Sequence, residues 1–117
     1  MDFIVEFHET RTGACPVRAA LDDMRASDPG DFAAVLAGLA KLKDRRYHRE
    51  PLCKPLGGGL FELRHMGKLN TRVLWFFAPG RRIVAVHLIR HKARAIASRD
   101  LAVARERMAE WERNSRR

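Results

Sequence analysis

Apolar and polar residues alternate at the start of the chain, where Phe3, Val5 and Phe7 interleave with Ile4, Glu6 and His8. A period of two marks a strand with one buried face. The period then lengthens: Pro16 suits the first turn of a helix, and Val17, Ala20, Leu21 and Met24 recur at helical spacing. Asp28-Pro29 offers a cap and a first-turn proline to a second helix, and Asp31 suits its positive end. Phe32, Val35, Leu36, Leu39 and Leu42 supply that helix's apolar stripe, so a helical hairpin is expected.

From Arg45 to Gly59 the periodicity stops, and cations, two prolines and a glycine triplet predict an irregular connection with a flexible GGG loop. Strand-like runs follow at 60–66 (LFELRHM), 71–77 (TRVLWFF) and 82–91 (RIVAVHLIRH). Pro79-Gly80 suits a tight turn between the last two, and Gly67 to Asn70 can turn the chain between the first two, giving an antiparallel meander. TRVLWFF is apolar on both faces after Arg72, which predicts a central strand covered on both sides. Ser98 can cap a last helix in which Leu101, Ala104, Met108 and Trp111 share one side. With no internal repeat, residues 1–117 read as one α+β domain: an antiparallel sheet with an N-terminal helical hairpin and a C-terminal helix.

Alternation also sorts the polar strand residues. A regular third strand puts Ile83, Ala85, His87, Ile89 and His91 on one face, and Val84, Val86, Leu88 and Arg90 on the other. His87 and His91 would then lie about 13 Å apart at roughly 3.3 Å per residue, too far to share a metal ion. Glu62 and Arg64 point with Leu60, and Arg72 points with Leu74 and Phe76. Arg64 and Arg72 flank one turn and can sit close together. Glu62 reads either as a cross-strand ion-pair partner of these arginines or as a functional acid, and His87 either as a hydrogen-bonded core histidine or as a proton-transfer group.

Charge changes the picture. The chain carries a formal net charge of +9. Residues 1–40 hold three Arg against seven acids, so the excess lies in the remainder. A basic surface of this strength attracts polyanions, and nucleic acid is the usual one. Within residues 88–94 (LIRHKAR) four cationic or titratable side chains occur without a carboxylate, so their countercharge is expected from outside the segment. No run is long enough to span a membrane, and Met1-Asp2-Phe3 lacks the features of a secretory signal, which makes a cytoplasmic protein the expectation.

Cys15 and Cys53 have no CxxC spacing, and His48 with Cys53 is too small a ligand set for zinc; neither a metal nor another cofactor is expected. The glycine triplet lacks the Lys-Ser/Thr of a phosphate-cradling loop and precedes a strand where that motif precedes a helix. RNA cleavage by the substrate's own 2′-hydroxyl fits better, needing only a base, an acid and cations around the phosphate. Arg64, Arg72 and Arg94 would clamp, and His91 or Lys92 would transfer protons.

The run KPLGGGLFELRHMGKLNTRVLWFF, the Ile/Val-rich strand, the basic stretch and the helix DLAVARERMAEW resemble the RelE/HigB superfamily of toxin–antitoxin toxins, nearest its phage-derived HigB-like branch. The resemblance implies a RelE-like fold, a messenger RNA endonuclease acting at the ribosome, and a cognate antitoxin, expected to be a helix-turn-helix protein. By position it assigns Lys54 to the matching Lys-Pro-Leu, Arg64 to Glu-Leu-Arg and Arg72 to Arg-Val-Leu. Arg64, Arg72, His91 and Lys92 are thus the expected catalytic set, and Lys54, Lys68, Arg90 and Arg94 the expected RNA contacts. Relatives carry a phenylalanine and lysines before a Thr-Pro, or a late tyrosine, where this chain has IRHKARAIA, so the proton-transfer group has no direct counterpart. Two rivals share the pattern: a ParE-like toxin that inhibits DNA gyrase by binding it, and a non-catalytic nucleic-acid-binding module.

Overall fold

In the computed structural model, which describes residues 2–66, 70–90 and 95–115, the period-two opening of the chain is strand β1, Ile4–Phe7. Helices α1 (Pro16–Ser27) and α2 (Pro29–Lys41) follow, each with its proline in the first turn. Between them Asp28 leaves helical geometry, and its side chain accepts a hydrogen bond from the Asp31 amide at 3.2 Å, which caps α2. Val17, Leu21 and Met24 of α1 and Val35 and Leu39 of α2 are buried, as their spacing predicts.

Residues 45–59 hold more order than their composition suggests. Arg45–Tyr47 form a 3-10 turn, and Cys53–Gly57 form strand β2, antiparallel to β3 (Leu60–Met66). Pro55 conceals this strand from pattern reading, because proline cannot donate to a ladder; β2 tolerates it by lying at the edge of the sheet. The glycine triplet is a tight turn into β3, with φ of 90°, 61° and 85° at Gly57, Gly58 and Gly59, a region side chains rarely enter.

Strands β4 (Asn70–Ala78) and β5 (Arg82–Ile89) complete a five-stranded sheet of order β1-β5-β4-β3-β2. The sheet is mixed, since β1 runs parallel to β5, whereas a wholly antiparallel sheet was expected. The long route through the hairpin lets β1 pair with the last strand. β4 is central, which accounts for its two apolar faces. One face packs on α1 and α2 around Trp75, Val73 and Leu63; the other packs Leu60, Leu74 and Phe76 against Ala104, Met108 and Trp111 of α3 (Ser98–Ser115). No helix among the described residues is long and apolar enough to cross a membrane.

A β-bulge corrects the expected alternation in β5. Leu74 pairs with His87 but Trp75 pairs with Ala85, which leaves Val86 as an extra residue. Ile83 and Ala85 face the hairpin, Val84 and Val86 face α3, and beyond the bulge His87 and Ile89 also turn to α3. Leu88 and Arg90 therefore lie on the hairpin side, the reverse of a regular strand.

Candidate nucleic-acid interface

The β3–β4 register places Arg64 directly opposite Arg72, and the β2–β3 register places Lys54 opposite Glu62. Glu62 bridges the two arginines, with Oε1 3.3 Å from Arg64 Nε and Oε2 3.5 Å from Arg72 Nε. Glu62 and Arg72 are each only 5% exposed, whereas about a third of the Arg64 side chain is open. Burial disfavours isolated charges, so one acid shared by two guanidiniums holds both in place while leaving the group net positive. Lys54, Glu62 and Arg64 form the sheet wall of a cleft of about 230 Å³, and Ala95, Ile96 and Leu101 form the facing wall. Arg72 lies behind Glu62.

The structure thus brings Lys54, Arg64 and Arg72 together on the α3 side of the sheet. Arg90 stands apart. Its Nη2 is 3.3 Å from Asp28 Oδ2 and 3.3 Å from Asp31 Oδ2, and the Thr71 hydroxyl donates to the same Asp31 oxygen at 3.0 Å. Two acids of the α2 N-terminus, outside the 88–94 segment, supply the countercharge of Arg90, a residue expected to contact RNA. Lys68, His91, Lys92 and Arg94 lie outside the described residues.

His87 has both ring nitrogens engaged. Arg107 Nη1 lies 3.1 Å from Nδ1 and also donates to the Val86 carbonyl at 2.8 Å. A guanidinium can only donate, so Nδ1 accepts and the proton sits on Nε2, which donates to Asp100 Oδ1 at 2.8 Å. The ring is neutral in this arrangement, and it fastens the first turn of α3 to the sheet. Burial pushes the proton affinity of Arg107 down. Asp100 and Arg107 escaped the sequence reading; their seven-residue separation, two helical turns, was the available signal that they share a face.

The remaining candidates are structural. His48 Nε2 donates to the Leu42 carbonyl at 2.6 Å, and the ring packs among Phe3, Trp75 and Phe77. Burial pushes the Cys53 thiol up to about 12, which removes it as a nucleophile at neutral pH. Among the described residues no group of three or more His, Cys, Asp or Glu side chains could hold a metal ion.

A mixed five-stranded sheet between a helical hairpin and a C-terminal helix, with cations gathered at one cleft, defines a small α+β domain compatible with the RelE-like fold. Residues 22–109 match the model of the family described as phage-derived protein Gp49-like (DUF891), and the chain belongs to that family. The family is of RelE/HigB-like toxin type, which implies a cognate antitoxin partner. A search of curated proteins gave no match.

Proposed function

We propose that this protein is the toxin of a toxin–antitoxin pair and that it cuts messenger RNA at the ribosome. The observation that carries the reading is the meeting of Lys54 and Arg64 on one cleft, where the glutamate that holds Arg64 also holds the buried Arg72. In the proposed reaction the RNA 2′-hydroxyl loses its proton to a base and its oxygen attacks the adjacent phosphorus. The bond to the 5′-oxygen breaks, and that oxygen takes up a proton, leaving a 2′,3′-cyclic phosphate and a 5′-hydroxyl. Arg64 and Lys54 meet the phosphate directly, and Arg72 adds positive charge from behind Glu62, where low solvation strengthens its field. The proton-transfer roles are assigned to His91 and Lys92, with Lys68 and Arg94 as further phosphate contacts.

The test is purified protein with ribosomes and message. Cuts should appear, and Arg64→Ala and Arg72→Ala should each slow them 100-fold or more, as loss of one charge-stabilising contact typically does. Undiminished cutting by both variants would remove the assignment. RNA binding with steep salt dependence but no product would favour a binding module, and gyrase inhibition without cutting would favour the ParE-like alternative.

A further inference from the structure

The cationic surface does not end at Arg64. Arg64 also lines a second cavity of about 380 Å³, whose other walls include Lys41 from the end of α2 and Arg46, Tyr47, Arg49 and Glu50 from the 3-10 turn and the chain after it. Lys41, Arg46, Tyr47 and Arg49 are all exposed. Lys41 Nζ lies 5.5 Å and the Arg46 guanidinium carbon 5.9 Å from the Tyr47 ring centroid, close enough for the ring to gather both cations. Arg46 is anchored by two hydrogen bonds to Asp44 Oδ2, at 2.9 and 2.7 Å. Lys41 and Arg49 have no carboxylate partner among the described residues. Four cations and an aromatic ring therefore face a cavity with one acid in its wall, at a size within the range of ligand pockets.

We infer that this cavity is a flanking nucleotide subsite for single-stranded RNA. A base stacks on the Tyr47 ring, Lys41 and Arg49 swing to the adjoining phosphates, and the strand continues past Arg64 into the cleft where its scissile phosphate lies. Aromatic faces among mobile cations are how proteins hold unpaired nucleotides, because every base offers a π-face and every linkage a charge. An acidic protein segment would satisfy the cations but leave the ring unused. The inference rests on the RNA reading above and extends it to a second contact along the same strand.

The experiment measures affinity of the purified full chain for fluorescent 2′-O-methyl RNA oligonucleotides, which cannot be cleaved through the 2′-oxygen, at lengths of three and eight nucleotides. The longer strand should bind about tenfold more tightly. Tyr47→Ala should erase most of that gain, and Tyr47→Phe, which keeps the ring, should restore it. Arg49→Ala should lower the salt slope by about one, whereas Arg25→Ala, which removes the same charge from α1, should leave the length effect intact. A length gain unaffected by Tyr47→Ala and Arg49→Ala overturns the inference while Arg64-dependent binding of the short strand leaves the endonuclease reading standing. Equal competition by a polyglutamate peptide of matched charge also overturns it, since that would mark a site for acidic protein. Absence of binding by either oligonucleotide, together with absence of cutting on ribosomes, counts against both.

Discussion

Glu62 gives one carboxylate oxygen to each of two arginines on neighbouring strands. That arrangement was legible in the sequence, because strict alternation points residues 60, 62 and 64 one way and sets 72 beside them across a turn. The partners of His87 were not legible: Asp100 and Arg107 reach it from a helix whose docking no strand pattern encodes. Cys53 offers a check at this scale. With its thiol raised to about 12 by burial, only about one molecule in ten thousand carries the thiolate at pH 8. Iodoacetamide should therefore label the half-exposed Cys15 in the native protein and Cys53 only after denaturation, as read by mass spectrometry. Rapid native labelling of Cys53 would contradict its burial.

Elements were readable where periodicity was clean. β1, the two hairpin helices, the central β4 and the α3 stripe all follow from spacing. The edge strand β2 was hidden by Pro55 and by glycines that signal a turn without revealing what it joins. The bulge at Val86 was hidden for a different reason: an extra residue leaves no mark where Ile83 to Val86 are all apolar, yet it reverses the facing of everything after it. Arg90 consequently meets the α2 N-terminus, where Asp28 serves as helix cap and ion-pair partner together. Asp28→Ala should lower the unfolding free energy by about 1–2 kcal/mol, chiefly through loss of the cap. A urea midpoint that falls with an unchanged slope would show it; an unchanged midpoint would refute it.

Across the whole molecule, α3 is joined to the sheet by a histidine–carboxylate contact near each end, His87 to Asp100 and His8 to Glu110 at 2.6 Å. The hydrogen bond from His8 holds the Glu110 carboxyl below its usual range. A depressed acid contributes stability at and above the ordinary glutamate range, and that contribution is lost as the pH falls through the lowered value. Wild-type protein should thus be more stable than Glu110→Gln near neutrality, and the two urea midpoints should converge on acidification below the glutamate range. Parallel pH profiles would show that the contact carries no linkage. The uneven distribution of charge was visible along the sequence, but the gathering of Lys54, Arg64 and Arg72 around Glu62 required the register of three strands.

The edge position of β2 carries a further consequence. A sheet this wide, apolar on both faces, would ordinarily be an open invitation to intermolecular strand pairing on its free side. Here the outermost strand is five residues long, lacks an N–H donor at Pro55 and ends in glycine, so a foreign chain arriving there meets a broken template. The sheet can remain open on that flank without growing into a fibre, and the same short strand leaves Lys54 unobstructed beside the cleft.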